Sequence, residues 1–337
     1  MINLVTNEKL FSDCGFSHCN NIEIKNLTDE LDKIQKTQLI GRISYIQKYH
    51  KIQNKNILKK KNLLSYLICI YKETLKKDSL FLIVSITPYT FFSILLLKLL
   101  KKKFLIYLRS DGFVEYKKIL GFFGILIYKV MFYLSTKNSK IISPSKDIMR
   151  EINGEIITPS SLSSKWSQNT KPSSFKKIKI LYVGRVRVEK GIFSLISIFE
   201  KLKSDIKLTI VGNDGKKLKI SHDHRVEIKE IIHDENELIK YYDDCSIFIL
   251  PSFTESYSMV INEALSRLRP VIIFKEIENI IGKRKGIFIS ERNHKDLLSK
   301  INYIATNYEN ILRDIKNNKF TNKQDFAREV IDKLKKN

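Results

Sequence analysis

Two short segments concentrate the residue types that do chemistry. The first is Gly184-Arg-Val-Arg-Val-Glu-Lys-Gly191. It joins an apolar run, 178–183, to an amphipathic one. A tight turn from strand to helix uses glycine for its backbone geometry and for close approach of a ligand. The helix start offers unpaired N–H groups and a partial positive charge, which suit a phosphate. Arg185 and Lys190 add two cations at that mouth, one a donor fork and the other a point charge. The same residues also fit a connecting loop with solvated bases. The spacing is not that of a Walker loop, and the three-glycine dinucleotide fingerprint is missing.

The second segment is Pro251-Ser-Phe-Thr-Glu-Ser-Tyr-Ser-Met-Val-Ile-Asn-Glu-Ala264. An apolar strand enters it and a helix leaves, so Glu255 falls in the loop at the carboxyl end of the strand. Tyr257, Ser258 and Met259 lie at the helix start, where backbone N–H groups can hold an anion and a serine can cap. Glu263 follows Glu255 by eight residues, on the flank of the stripe formed by Val260, Ile261, Ala264, Leu265 and Leu268. A carboxylate there can accept two hydroxyl hydrogen bonds, as a ribose diol offers. Taken singly, Glu263 also reads as an ordinary helix glutamate and Glu255 as a solvated loop acid.

The elements that must position these groups follow from periodicity. Strands are predicted at 178–183, 207–211, 226–228, 246–250, 270–274 and 286–290, with helices at 191–202, 235–242, 258–266 and 294–308. Apolar strands alternating with helices predict a parallel sheet covered on both faces, with ligands at the carboxyl ends of its strands. The first half is read in the same style. It has strands at 2–5, 80–86, 104–108 and 141–143 and helices at 63–75, 91–100 and 119–134. The polar, serine-rich run 160–174 reads as a linker. Two such domains would enclose a cleft, a favoured place for a ligand.

Taken together, the two segments resemble retaining glycosyltransferase family 4, the glycosyl transferases group 1, which have the two-domain GT-B fold. The likeness runs over residues 178–273. It rests on Gly184, Arg185, Lys190 and Gly191, on Pro251, Ser252, Glu255 and Glu263 about 65 residues later, and on Val211-Gly-Asn-Asp-Gly215. It implies two Rossmann-like, doubly wound α/β domains facing across a cleft. Residues 1–165 would bind the acceptor and 166–318 the nucleotide sugar, with a terminal helix in 319–337 packing back on the first domain.

The resemblance also implies roles. Arg185 and Lys190, with backbone N–H groups at Tyr257, Ser258 and Met259, would meet the donor diphosphate. Glu263 would bind the ribose, Glu255 would face the donor sugar as a catalytic residue, and Gly184 and Gly212 would shape the donor loop. Backbone near 231–234 would lie beside the base. The family uses neither metal nor cofactor, and the nucleotide sugar is a substrate. Asp111, in Arg109-Ser-Asp-Gly112, is a candidate to orient or deprotonate an acceptor hydroxyl, with an Asp-Gly turn as the other reading. Lys146, after Ser143-Pro-Ser145, is a further ligand candidate. The chain departs from the family at Ser256-Tyr-Ser258, where Gly-Phe-Gly is usual. It departs again at residues 274–279, which lack the glycine pair. Ser12-Asp-Cys-Gly15 is the only candidate for the glycine-rich N-terminal loop.

Composition bounds the rest. The 337 residues are 43% hydrophobic, enough for two cores, and carry a net charge of +24. Such an excess points to an anionic partner. From Arg42 to Lys103 there are fourteen bases and two acids, and Lys59–Lys61 and Lys101–Lys103 flank apolar helices. That pattern suits an anionic leaflet and a lipid-linked acceptor. A nucleic-acid-binding module would interleave its bases with aromatics on one face. Cys14, Cys19, Cys69 and Cys245 show no zinc or disulfide spacing, which predicts free thiols in a reducing cytosol. The six histidines, His222 among them, show no ligand spacing. No leader is evident at 1–10, and the apolar stretch 119–135 is short for a membrane span.

The expected function is transfer of a hexose from a nucleotide sugar to a growing, lipid-linked surface glycan such as O-antigen or capsule. It would occur in the cytoplasm, peripherally on the inner face of the membrane. The rival is a basic α/β protein that binds nucleic acid or anionic membrane without transferase activity.

Overall fold

A computed structural model describes residues 1–213 and 223–336, which divide into two compact units. The expected turn residues Asp214 and Gly215, and His222, lie outside the described residues. The first unit spans Met1–Ser161 and Thr321–Asn337, and the second Leu162–Phe320.

The strands of the first unit are β1 (Ile2–Asp13), β2 (Phe16–Cys19), β3 (Thr37–Ile43), β4 (His50–Ile52), β5 (Ile57–Lys60), β6 (Leu80–Val84), β7 (Phe104–Tyr107), β8 (Lys140–Ser143) and β9 (Glu155–Ile156). Its helices are α1 (Ile22–Ile34), α2 (Leu63–Thr74), α3 (Pro88–Leu99), α4 (Gly112–Thr136) and α5 (Lys146–Met149). A parallel sheet runs β5-β3-β1-β6-β7-β8-β9. Successive residues of a strand face opposite sides. Leu82, Val84 and Leu105 therefore join one core and Phe81, Ile83 and Ile106 the other.

Several expectations change here. β1 runs to Asp13 rather than residue 5, because its far end pairs antiparallel with β2, which pairs in turn with β4. Ser12–Gly15 is thus the turn of a hairpin, with Cys14 and Gly15 at positive φ, and not a loop from strand to helix. The single helix expected at 119–134 is a helical hairpin. Gly121 takes φ 63° and ψ −142° inside α4. The rings of Phe113 and Phe132 lie 5.2 Å apart, where an unbroken helix would separate them by about 28 Å. Gly124 admits this return, since a Cβ there would meet the Tyr116 carbonyl at 2.1 Å. Lys98 closes the far end of α4, donating to the carbonyls of Leu134 (2.7 Å) and Lys137 (2.6 Å).

The second unit holds β10 (Lys179–Val183), β11 (Lys207–Asn213), β12 (Val226–Glu230), β13 (Ile247–Leu250), β14 (Val271–Phe274) and β15 (Ile287–Ser290). They alternate with α6 (Ile192–Phe199), α7 (Glu235–Asp244), α8 (Met259–Ser266), α9 (His294–Thr306) and α10 (Tyr308–Lys316). The sheet is parallel in the order β12-β11-β10-β13-β14-β15. β13 and β14 are buried throughout, as strands covered on both faces must be.

The run 160–174 is a strap bound to the second unit rather than a free linker. Leu162 and Trp166 enter that unit's core, which moves the boundary to Ser161. Arg267 and Arg269, both fully enclosed, hold the strap. Arg267 donates to the carbonyls of Trp166 (3.0 Å), Gln168 (2.7 Å) and Asn169 (3.2 Å), and Arg269 to that of Lys171 (2.8 Å) and to Ser173 Oγ (2.7 Å). The last helix, α11 (Lys323–Lys335), belongs to the first unit. Phe326, Ala327, Val330, Ile331 and Leu334 are buried in the core that contains Ile2 and Leu4.

Candidate functional site

The strand order of the second unit reverses between β10 and β13, and the loops leaving the carboxyl ends of these neighbours diverge there. Such a switch point is where open α/β sheets bind ligands. The segments 184–191 and 251–258 are these two loops. Phe253 N–H donates to the Glu189 carbonyl at 3.1 Å. Gly191, at φ 67°, passes so close to Pro251 that a Cβ would meet its carbonyl oxygen at 1.9 Å. Gly212 and Gly184 make a second close approach. Gly184 N–H donates to the Val211 carbonyl at 2.9 Å, and a Cβ on Gly212 would meet the Gly184 carbonyl at 2.2 Å.

This contact of loops brings the charged groups together. Lys190 Nζ donates to Glu255 Oε1 at 2.6 Å, and Ser252 Oγ donates to the same oxygen at 2.8 Å. Both partners of the ion pair are largely shielded, with side chains 23% and 11% exposed. Arg185 is exposed, and its side chain has no hydrogen-bond partner or ion pair among the described residues. Its carbonyl accepts from Tyr182 at 2.9 Å, which shapes the turn. Burial raises the Tyr182 pKa, keeping that phenol a donor.

α8 begins at Met259 with Ser258 as its N-cap, but no side chain caps it. Its opening turn is braced from behind. Tyr257 accepts from Asn262 Nδ2 at 2.8 Å, while Arg284 donates to Asn262 Oδ1 at 2.9 Å and sits 5.6 Å from the Tyr257 ring. Burial lowers the Arg284 pKa. Glu263 is buried rather than flanking, and its Oε2 accepts from Tyr242 of α7 at 2.9 Å. Burial, with the neighbouring Glu263 charge, pushes the Tyr242 pKa well up. Backbone 231–234 leaves the carboxyl end of β12, where Ile231 N–H donates to the Asn213 carbonyl and Asp234 caps α7.

Residues outside both motifs complete the scaffold. Arg292 donates to the carbonyls of Pro251 (3.0 Å) and Ser252 (3.3 Å), lies against Phe253 and Phe274, and pairs with Glu276 at 2.6 Å. It rivets the Glu255 loop to the sheet. Arg284 lies in the basic run Gly282-Lys-Arg-Lys-Gly286 and Arg292 in Ser290-Glu-Arg-Asn293, and nothing in either segment separates them from solvated bases.

Asp111 lies in the first unit. It caps α4, its Oδ1 accepting from Phe113 N–H (2.8 Å) and Val114 N–H (3.4 Å), while Oδ2 stands 3.5 Å from Arg150. The capping role accounts for an aspartate there. Ser145 caps α5 and leaves Lys146 exposed in its first turn. The four cysteines are free.

Comparison with known proteins agrees with the geometry. Residues 165–322 match the family model of glycosyl transferases group 1. The chain is 28% identical over 131 residues to the putative teichuronic acid biosynthesis glycosyltransferase TuaC of Bacillus subtilis, an alignment covering 38% of this chain and only 32% of TuaC. A glycosyltransferase structure from Rickettsia africae superposes with a TM-score of 0.69 at 16% identity, covering 99% of this chain and 98% of that one. Anabaena HepE, solved with UDP-glucose, superposes with a TM-score of 0.65 at 12% identity over 99% and 97% of the two chains. Residues 165–322 are therefore a glycosyl transferases group 1 domain, and the chain that carries them has the GT-B fold.

Proposed function

We propose that this chain is a retaining glycosyltransferase that moves a hexose from a nucleotide sugar to a lipid-linked glycan, in the assembly of a bacterial surface polysaccharide. The observation that carries the reading is the meeting of Lys190, Glu255 and the start of α8 at the switch point of the second sheet, with Arg185 exposed and without a side-chain partner among the described residues at its mouth. The biosynthetic role of TuaC and the UDP-glucose bound by HepE support the polymer and the donor class.

In this mechanism Arg185, Lys190 and the N–H groups of Tyr257, Ser258 and Met259 take the donor diphosphate. The leaving group is a nucleoside diphosphate, and preorganised cations and a helix start stabilise its developing charge without a metal ion. Lys190 has three donor hydrogens, so it can hold a phosphate oxygen while still touching Glu255. Glu263, fixed by Tyr242, takes the ribose hydroxyls. Glu255 faces the donor sugar beside the breaking bond. The departing phosphate shields one face of the sugar and guides the acceptor hydroxyl in on that same face, so no carboxylate nucleophile is needed. The enzyme works in the cytoplasm, held on the inner face of the membrane by its basic first unit.

The test has two stages. A thermal-shift screen of nucleotide sugars identifies the donor, since a ligand at 100 times its Kd stabilises by about 2.7 kcal/mol. Steady-state kinetics then compare Glu255→Gln with the wild type. The charge of Glu255 acts where charge develops, so its loss lowers kcat more than it raises KM. Full kcat in Glu255→Gln would reduce the loop to a connector and sink the proposal.

A further inference from the structure

We propose that the α4 hairpin is the element that seats this protein on an anionic leaflet, its second arm lying in the membrane interface with a basic pocket at the far end of that arm. This rests on the peripheral-membrane part of the functional reading and gives it a location.

The apolar side chains of the hairpin are turned the wrong way for a core. At the bend, Ile119, Leu120, Phe122 and Phe123 surround Gly121, and the two phenylalanines are 77% and 72% exposed. Along the second arm Leu126, Ile127, Val130, Tyr133 and Leu134 are also exposed. They recur at helical spacing on one face. The opposite face, Gly124, Tyr128, Met131, Phe132 and Ser135, is buried. An apolar surface this continuous marks an interaction site.

Length decides between crossing and lying flat. The arm from Phe122 to Thr136 is about 22 Å long at 1.5 Å per residue, while a hydrocarbon core is about 30 Å thick. One face of the arm is also committed to protein. It therefore lies in the plane of the interface, as amphipathic helices with basic flanks do.

Charge selects the partner. Between Gly112 and Lys140 there are five lysines and one acid, Glu115. At the end of the arm a pocket of about 660 Å³ is lined by Lys102, Lys103, Lys137 and Lys140 with Tyr133, and no acid among the described residues lines it. Four ammonium groups beside an apolar face fit the phosphate of an anionic phospholipid whose acyl chains continue onto that face. A second copy of this chain would bring the same lysines against these.

Co-sedimentation of the full chain with vesicles of phosphatidylglycerol and phosphatidylcholine tests this against vesicles of phosphatidylcholine alone. The wild type is expected to pellet with the anionic vesicles and to be released by salt. Phe122→Ser/Phe123→Ser should weaken binding at least tenfold with its urea midpoint unchanged, and Lys102→Ser/Lys103→Ser should weaken it severalfold. Leu64→Ser, an exposed apolar position on α2, serves as the control and should bind as wild type. Wild-type pelleting of the phenylalanine variant would overturn the hairpin assignment and leave membrane attachment to the other lysines. Failure of the wild type to bind any vesicle would overturn both. A wild-type dimer that Phe122→Ser/Phe123→Ser turns into a monomer in sedimentation velocity would assign the face to a second copy and overturn the proposal.

Discussion

The Tyr242 hydroxyl donates to Oε2 of Glu263 at 2.9 Å, and the pair is buried between α7 and α8. Tyr242 also stacks on Phe248 and meets Trp166 edge-on, so the donor is held on three sides. Tyr242→Phe removes only the oxygen. A buried carboxylate then loses this hydrogen bond, at a cost of about 1–3 kcal/mol. The urea midpoint should fall accordingly. Donor KM should rise about tenfold, roughly 1.4 kcal/mol, with kcat little changed. An unchanged KM would reduce Tyr242 to packing.

Arg185 and Lys190 should separate in stability while agreeing in function. Each loses a charged hydrogen bond to the diphosphate, worth about 1.5–3 kcal/mol, so either alanine variant should bind the nucleotide sugar about ten- to a hundredfold more weakly. Arg185→Ala should be thermally silent, since no group among the described residues pairs with the guanidinium. Lys190→Ala takes the counter-charge from Glu255, leaving it the Ser252 hydroxyl, and should lower Tm. Calorimetry and a thermal scan on both variants check this, and wild-type affinity in both would remove them from the site.

Arg267 makes two hydrogen bonds to Asp243, at 2.8 and 2.7 Å, besides its three to the strap. Removing one partner of a buried ion pair costs about 3–5 kcal/mol. Arg267→Met should cost that much in urea unfolding of the second unit. Arg267→Lys should rescue little, because an ammonium cannot reproduce the fork. Near-wild-type stability in either variant would contradict the clamp.

Stability should fall on the alkaline side. Burial pushes the Cys19 and Cys245 thiols from 9.0 up to about 12. A thiol with a raised folded-state pKa keeps its proton longer in the native protein than in the unfolded chain. Its contribution is complete below about pH 9 and disappears as the pH rises toward about 12, up to roughly 4 kcal/mol for each thiol. Urea midpoints measured from neutral pH to about pH 11 should drop steeply above pH 9. The Cys19→Ala/Cys245→Ala variant should show a shallower drop, and an unchanged slope would exclude these thiols.

Legibility in the sequence followed physical constraint. Gly191 and Gly212 were readable because close backbone approach admits no other residue, and Gly184 because a Cβ there would meet the Tyr182 hydroxyl at 2.7 Å. β13 and β14 were readable because a strand covered on both faces is a continuous apolar run. β2, β4 and β5 carried no such signal, since their mixed residues pair in a ribbon or at a sheet edge, and β3, although inside the sheet, interrupts its apolar residues with Thr37, Gln38, Gly41 and Arg42. Arg267 and Arg269, in Ser-Arg-Leu-Arg, look like solvated bases until the strap covers them. Gly121 was hidden inside an apolar run that a periodicity count carries straight through the bend. Glu255 was legible as a loop acid, but its ion pair with Lys190 depends on the contact between two loops 65 residues apart.

The return of α11 to the first unit fixes an order of events during synthesis. The chain leaves that unit after Ser161 and re-enters at Thr321, so the second unit has all its residues while the first still lacks a helix. Until residues 323–335 emerge from the ribosome, part of one face of the first sheet, next to Leu82, Leu105 and Tyr107, stays bare. A nascent chain paused there would present that face to chaperones and proteases. Release of the last helix, rather than completion of the sheet, is then the step that commits the first unit to its native state.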